Sequence, residues 1–244
     1  MPHPLRIARP ADPFLRFNVD EAAVVDYRID GDHVGFIRPG RRGGELWCSA
    51  LGDDPARVLA LLDDLAAQNS IDGIHVHAAV YAHLPERLRI PEPGHWSMWT
   101  VRRGDEPDSL RDWAAAAADL AADDARIDPL LAHSDSAYLF AGSPEVLHWV
   151  GVSNRDDLLA VGGESTIADG TPHLVSICTA PGMRGRGLGR SVTARLVQGA
   201  FDRGCPEVYL EMYADNVAAT RLYASLGFRE VGRYRSGFLP GRGA

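Results

Sequence analysis

The residues best suited to bind an anion lie between positions 184 and 190. Three glycines alternate there with three arginines around one leucine: Arg184, Gly185, Arg186, Gly187, Leu188, Gly189 and Arg190. Glycine lets bare backbone N–H groups approach an anion closely, and guanidinium groups hold its charge. We interpret this stretch as a pyrophosphate-binding corner.

The flanking residues predict that the stretch joins a strand to a helix. Leu174, Val175, Ile177 and Thr179 are apolar or β-branched, and they run up to Pro181, which cannot continue a ladder. Apolar residues then recur three to five apart from Leu188 to Phe201, a spacing typical of a helix. The positive end of that helix dipole would face the anion.

Two common phosphate-binding motifs do not fit the stretch. A dinucleotide-binding G-x-G-x-x-G that starts at Gly185 needs glycine where Arg190 stands. A P-loop needs a lysine, and the chain contains none.

A second motif lies downstream and completes a known pair. Arg184-x-x-Gly187-x-Gly189 after a strand ending in x-Pro resembles the acetyl-CoA motif of the GNAT (Gcn5-related N-acetyltransferase) superfamily. Its second signature, N-x-x-A-x-x-x-Y-x-x-x-G-F, is matched by Asn216, Ala219, Tyr223, Gly227 and Phe228. Ile177, Cys178 and Thr179, followed by Ala-Pro, resemble the FR47-like branch in particular.

The resemblance implies a fold and a cofactor. The fold is α/β (α+β): a GNAT fold with a mixed, mostly antiparallel sheet flanked by helices. The cofactor is acetyl-CoA, whose acyl-pantetheine arm would lie between two splayed strands and pair with the backbone of the first. The implied contacts to the arm come from Ile177, Cys178, Thr179 and the Asn216 side chain, and those to the diphosphate from residues 184–190.

The resemblance also implies two catalytic residues. Glu211 stands on an alternating strand, Glu207–Tyr213, and corresponds to the base that takes a proton from the amine. Tyr223 corresponds to the acid that protonates the departing thiolate. Each has a plainer interpretation: Tyr223 as an aromatic packed on Phe228, and Glu211 as a solvated carboxylate beside a water that serves as base.

Other titratable residues offer fallback roles. Glu164 and His173 are alternative bases. Cys178 is expected to be a small buried hydrophobe rather than an acyl carrier, because the family transfers the acyl group directly. His75 and His77, with His83 nearby, are expected to be ordinary strand residues, so the prediction for metal is none.

The chain is predicted to hold two domains, residues 1–94 and 95–244, with the boundary at Ile90–Gly94. Residues 1–18 carry four prolines and are expected to form an irregular arm. A hairpin at Asp30-Gly31, a strand at 46–50, a helix after Asp53 or Asp54 and a strand at 71–80 should follow. This order predicts a degenerate, cofactor-free GNAT-like N-terminal domain.

The second domain should begin with a strand at 95–103 and an alanine-rich helix from Asp108 or Ser109 to about 122. Strands at 146–152 and 158–164 should precede the corner. Asn216 is expected to cap the last helix and Gly227 to close it.

Composition narrows the class of protein. A net charge of −8 argues against nucleic acid as the partner, and no apolar run could span a membrane. Three scattered cysteines and a start broken by prolines favour a reduced, cytoplasmic setting. Residues 105–169 carry fourteen acidic residues against three arginines, which suits a cationic amine acceptor or, alternatively, describes solvated helix faces.

The sequence therefore predicts an acetyl-CoA-dependent N-acetyltransferase that acts on a primary amine, either a small molecule or a peptide N-terminus. The alternative is a catalytically silent acyl-CoA-binding sensor or scaffold. Two roles for the N-terminal domain remain open: covering the acceptor site, or assembly, for example as a homodimer.

Overall fold

The structure is a computed structural model that describes residues 3–40 and 44–242. Its strands are β1 Asp26–Asp30, β2 His33–Pro39, β3 Leu46–Leu51, β4 Gly73–His77, β5 Gly94–Arg102, β6 Ala118–Leu120, β7 Val146–Ser153, β8 Leu158–Ser165, β9 His173–Thr179, β10 Glu207–Tyr213 and β11 Arg229–Phe238. Its α-helices are α1 Pro4–Ala8, α2 Pro13–Asn18, α3 Pro55–Gln68, α4 Ala78–Tyr81, α5 Leu110–Ala114, α6 Ile127–Leu131, α7 Leu188–Asp202 and α8 Val217–Ala224.

The contacts divide the chain into two compact units. The described residues of the first lie within Met1–Ser97, Tyr213–Asp215 and Gly232–Ala244, and those of the second within Met98–Met212 and Asn216–Val231. The predicted boundary between residues 94 and 95 assigns the end of β11 to the second domain. The contacts place that end in the first unit. That boundary stays a prediction.

The second unit has the sheet expected from the sequence. Its strands lie in the order β6-β7-β8-β9-β10-β5. The ladders β6/β7, β7/β8 and β8/β9 are antiparallel, whereas β9 and β10 are parallel and are joined through α7. The prediction of a mixed, mostly antiparallel sheet flanked by helices is therefore confirmed.

Helices cover both faces of this sheet. The apolar stripe of α7 buries Val192, Leu196 and Phe201 in one core, the α7 core, as its spacing predicts. On the opposite face, Ile127 and Leu131 of α6 belong to a second core, the α6 core, together with Trp149, Val175 and Cys178. Alternate residues of β9 thus serve different cores, which fixes the register of the strand.

The order of elements in the first unit, β1-β2-β3-α3-β4, is the same as β7-β8-β9-α7-β10 in the second unit. Strands β1, β2 and β3 are antiparallel, and β3 is parallel to β4 with α3 as the connection. The predicted hairpin is present, with Asp30 paired to His33 and Gly31 at a φ of 62°. The Asp54 side chain caps α3 by accepting from the N–H groups of Ala56 and Arg57.

Several predicted elements are wrong or shorter than expected. The arm at residues 1–18 is not irregular: it forms α1 and α2, because His3 and Asp12 cap these helices and proline stands in the first turn of each. The Asp12 carboxylate accepts from the N–H groups of Phe14 and Leu15. Both of these apolar side chains are buried.

The helix expected from residue 108 to about 122 is also wrong. It ends at Ala114, and β6 follows at Ala118–Leu120. The strand expected at 71–80 stops at His77 and continues as α4. Neither α6 nor β11 was anticipated.

His75 and His77 lie in an aromatic cluster of the first unit. The His75 ring stacks on Phe14 at 4.1 Å, and both histidines lie 4.8 Å from the Tyr234 ring. Burial is the main cause that lowers the pKa of His77. Within residues 3–40 and 44–242 there is no group of three metal-ligating side chains and no helix long and apolar enough to cross a membrane.

Candidate active site

The sheet of the second unit opens between β9 and β10. Over the described residues, the parallel ladder consists of two pairs, Tyr209 with His173 and Leu210 with Leu174. Strand β9 continues to Thr179 beyond the last pair without a partner on that side. The opening faces the same end of β9 that leads into the glycine–arginine corner, residues 184–190.

The ladder on the other side of β9 shows which backbone groups face the opening. The N–H of Ala180 donates to the carbonyl of Leu159 at 2.9 Å, which makes Thr179 and Ala160 a non-hydrogen-bonded pair. The N–H and C=O of Thr179 therefore point away from β8 and into the opening. By the same alternation the N–H and C=O of Cys178 point toward β8. Of the three β9 residues expected to contact the arm, Cys178 therefore has no backbone group directed into the opening.

A β-bulge in β9 changes its register beside the opening. Val161 faces Cys178 but Gly163 faces Val175, so two residues, Ser176 and Ile177, oppose one. Ser176 has a φ of 50°, and its hydroxyl donates to the carbonyl of Leu139 at 2.8 Å. The sequence reasoning missed this bulge, for which a single serine in an apolar strand is the only signal.

The corner requires glycine where its backbone turns. Gly185 and Gly187 have φ values of 76° and 81°, which side-chain-bearing residues rarely adopt. A Cβ on Gly187 would lie 2.8 Å from the Trp113 ring, and one on Gly189 would lie 3.3 Å from the Thr179 hydroxyl. No side chain caps α7 at Gly187, so the first N–H groups of this 15-residue helix stay available.

The arginines of the corner keep their charge unneutralised. In the part of the chain that the structure describes, no carboxylate lies within ion-pair distance of Arg184, Arg186 or Arg190, whereas Arg195 and Arg203 each pair with one. Arg184 donates to the carbonyls of Thr179 and His133, both at 3.3 Å. A diphosphate would supply the missing negative charge.

Glu211 occupies the strand position next to the last paired residue of β10. Its side chain is 16% exposed, and its Oε2 lies 3.9 Å from Nε2 of His173. The His173 ring stacks on Tyr209 at 4.3 Å. Leu210 and Met212 belong to the α7 core, so Glu211 projects from the opposite face at the start of the opening.

Tyr223 lies on α8 inside the α7 core. Its side chain is buried, and burial raises the pKa of its phenol far above the ordinary value, so the hydroxyl stays protonated at neutral pH. Its ring also lies 5.8 Å from Phe228. The neighbouring Leu222 comes within 3.3 Å of the Cβ position of Gly189, which places α8 over the start of α7.

Glu164 is a poor fallback base. Its carboxylate accepts a hydrogen bond from the guanidinium of Arg203, and its side chain is 3% exposed. Arg203 follows the C-terminal end of α7, which lies about 22 Å from the corner at 1.5 Å per helical residue. Glu164 is therefore unsuited to the role of base, and the other candidates, which are Glu211, His173 and a water, stay predictions.

Asn216 caps α8 as expected. Its side-chain oxygen accepts from the N–H of Ala219 at 3.0 Å. Among the described residues no hydrogen bond uses its amide nitrogen, and the residue is exposed. That nitrogen is the group able to donate to a ligand.

The Cys178 thiol lies in the α6 core. It donates to the carbonyl of Leu130 at 3.3 Å, and desolvation raises its pKa. Burial raises the pKa of Cys48 to about 12, while Cys205 is only partly buried. At neutral pH the Cys178 thiol is therefore almost entirely protonated, which argues against an acyl-cysteine intermediate.

We expect the three thiols to react with a disulfide reagent at pH 8 in the order Cys205, Cys178 and Cys48. Mass spectrometry of the labelled peptides over time measures this order. Fastest labelling at Cys178 would make it a candidate nucleophile again. The Cys178→Ser variant identifies the part of the labelling that is due to this thiol.

Comparison with known proteins identifies a family for the second unit. Residues 108–228 match the acetyltransferase (GNAT) family. N-alpha-acetyltransferase RimI from Mycobacterium tuberculosis is 37% identical over 91 residues, which cover 36% of this chain and 56% of that protein. The matches span 26%, 41% and 56% of three curated relatives, so this chain covers only part of each.

Solved structures match the whole chain. A GNAT-family protein from Novosphingobium aromaticivorans covers 100% of both chains with a TM-score of 0.56 at 22% identity. A GCN5-related N-acetyltransferase from Kribbella flavida covers 99% of this chain and 97% of its own, with a TM-score of 0.58 at 20% identity. At such identities the likeness shows the fold, which is the GNAT fold. Residues 108–228 of this chain form an acetyltransferase domain of the GNAT family.

Proposed function

We propose that this protein transfers an acetyl group from acetyl-CoA to a primary amine. The observation that carries the proposal is the opening between β9 and β10, which begins after two ladder pairs and ends at a corner of unneutralised arginines. An extended arm can lie in such an opening and pair with the strand edge, while its diphosphate lies at the helix N-terminus.

The residues of the corner fit this cofactor. The free N–H groups of Leu188, Gly189 and Arg190 would hold diphosphate oxygens, with Arg184 and Arg186 adding charge. The backbone of Thr179 would pair with the arm, supported by Ile177 and the Asn216 amide. Bound acetyl-CoA would supply a thioester whose carbonyl carbon is open to attack by an amine.

Glu211 and Tyr223 have complementary roles in the proposal. An alkylamine titrates near 10 and a peptide α-amino group near 8, so either is largely protonated at neutral pH and must lose a proton before attack; Glu211 accepts that proton directly or through a water. Tyr223 holds its own proton at neutral pH and donates it to the departing sulfur. Together such assistance is worth about 10²- to 10⁴-fold in rate.

The acceptor is proposed to be cationic, as a small molecule or a peptide N-terminus. The similarity to RimI, an N-alpha-acetyltransferase, favours the peptide. The excess of acidic residues between positions 105 and 169 favours a positively charged acceptor of either kind. The narrower assignment to the FR47-like branch and the cytoplasmic setting remain parts of the proposal.

The first unit is proposed to be a degenerate GNAT-like domain that binds no cofactor. Its parallel ladder, β3 with β4, runs through four pairs from Trp47–Gly73 to Ala50–Val76, which leaves less opening than the two pairs of β9 and β10. Asp54 caps the start of α3, where a carboxylate would repel a diphosphate.

Glu211→Gln should remove the acidic limb of the pH profile of kcat/KM. As base, Glu211 must be ionised, so activity rises as pH increases through its pKa, and glutamine has no such titration. Initial rates from pH 5 to 9 measure the limb. Glu164→Gln is the matched control and should keep it; an unchanged limb in Glu211→Gln assigns the base to water.

Turnover itself tests the proposal. The protein is mixed with acetyl-CoA and, separately, polyamines, aminoglycosides and peptides with free N-termini, and released CoA is measured with a thiol reagent. We expect release that depends on one acceptor class. Calorimetric CoA binding without turnover across the whole panel would instead support the silent sensor, and no CoA binding would contradict both.

A further inference from the structure

Trp113 is a large aromatic side chain that lies directly against the glycine–arginine corner. It lies on α5, a helix that packs on α7, and it is only partly buried against the α7 core. Neither motif that identifies the family includes this residue. Its indole nevertheless lies close to two residues of the corner.

The first of these residues is Gly187. A Cβ at this position would lie 2.8 Å from Cζ3 and 3.3 Å from Cη2 of the indole, so the ring occupies the space of a side chain at 187. Gly187 also ends the turn with a φ of 81°. Gly185 has a similar φ of 76°, yet nothing lies within 4 Å of its Cβ position. The indole therefore packs against the backbone at Gly187 and leaves the Cβ position of Gly185 open.

The second of these residues is Arg190. Its guanidinium carbon lies 4.6 Å from the centre of the Trp113 ring, within the range of a cation–π interaction. Its Nε is buried and has no hydrogen-bond partner among the described residues. No described carboxylate pairs with it, so the indole is the contact that orients the charge.

An unpaired guanidinium in this position has a physical consequence. An arginine side chain has several rotatable bonds, and fixing it costs conformational entropy when a ligand binds. A flat aromatic ring that already orients the guanidinium removes part of this cost before binding. The contact is made over the face of the indole and occupies no conventional hydrogen-bond acceptor, so the N–H groups of the guanidinium keep their capacity to donate to a ligand.

We propose that Trp113 is a positioning residue for anion binding, which holds Arg190 ready for the diphosphate of the cofactor. The ligand class is a nucleoside diphosphate ester, and the inference rests on the proposed function. Trp113 acts through Arg190 and does not itself contact the reacting atoms. Its loss should weaken cofactor binding only while Arg190 is present.

A double-mutant cycle on the full chain tests this. Trp113→Leu, Arg190→Gln and the double variant are compared with the unchanged protein, and the Kd of CoA is measured by calorimetry. We expect Trp113→Leu to raise Kd by about threefold to tenfold, which is the cost of immobilising one arginine side chain on binding. In the Arg190→Gln background the same change should raise Kd by less than about twofold.

Two controls separate positioning from packing. Trp113→Phe keeps an aromatic face and should restore most of the affinity. Arg184→Gln removes a corner arginine that donates to backbone carbonyls instead, so its combination with Trp113→Leu should be additive. The KM for acetyl-CoA should follow Kd, while kcat at saturation should change far less than KM.

Each outcome decides the inference. Additive effects of Trp113→Leu and Arg190→Gln, or a failure of Trp113→Phe to restore affinity, would overturn the positioning role and leave Trp113 as packing. Thermal unfolding of each variant verifies that it is folded, and Trp113→Phe supplies the test if Trp113→Leu is not. Absence of CoA binding to the unchanged protein would instead refute the proposed function itself.

Discussion

Gly187→Glu is expected to abolish CoA binding. The backbone at 187 has a φ of 81°, any Cβ there would lie 2.8 Å from the Trp113 ring, and the new carboxylate would face the cofactor phosphates. Strain, crowding and like-charge repulsion all act in one direction, so we expect affinity to fall by at least about 100-fold, or 2.7 kcal/mol. Calorimetry with CoA measures the loss.

A second glycine provides a matched control. Gly170 lies in a loop of the same unit with a φ of 80°, and nothing lies within 4 Å of its Cβ position. Gly170→Glu therefore introduces the same charge and similar backbone strain away from the corner. It should bind CoA as the unchanged protein does, and normal affinity in Gly187→Glu would contradict the cofactor site.

Tyr223→Phe is expected to lower kcat by at least about tenfold, or 1.4 kcal/mol of barrier, while the affinity for acetyl-CoA changes little. The substitution removes the phenolic proton and keeps the buried ring that packs near Phe228. Burial already holds the pKa of this phenol high, so the proton to be donated is present across the neutral range. Steady-state kinetics at saturating acceptor measure the effect.

Tyr81→Phe controls for the loss of a phenolic hydroxyl, here from a partly buried tyrosine. The Tyr81 hydroxyl donates to the carbonyl of Ile90 at 3.0 Å in the first unit, so its removal costs a real hydrogen bond. That variant should lose some stability and keep its kcat. If turnover in Tyr223→Phe stays as high as in Tyr81→Phe, Tyr223 is only a packing residue.

The corner could be predicted from sequence because its chemistry is local. Positive φ values at Gly185 and Gly187 require glycine, and a helix start follows from the apolar spacing after Leu188. The N-cap at Asn216 is local in the same sense. Short-range rules were therefore sufficient for the residues of both motifs.

Contacts across the sheet could not be predicted in this way. The opening depends on where the β9/β10 ladder stops, and nothing in Leu174 or Leu210 marks the last pair. The cation–π contact between Trp113 and Arg190 joins residues that are 77 positions apart in the sequence. The bulge at Ser176 likewise depends on the carbonyl of Leu139.

The two wrong helix predictions show where propensity loses to tertiary structure. Residues 114–118 are five consecutive alanines, yet the helix ends at Ala114 so that β6 can pair with β7. The proline-rich start was expected to be irregular, although proline in the first turn favours a helix when a residue such as Asp12 caps it.

The central claim is that main-chain N–H groups of the corner hold the diphosphate of CoA. A crystal structure of the protein grown with CoA tests this claim most directly. We expect diphosphate oxygens within hydrogen-bonding distance of the backbone nitrogens between residues 185 and 190, and the arm between β9 and β10. CoA bound elsewhere, or an opening closed by continuous pairing of the two strands, would contradict the account.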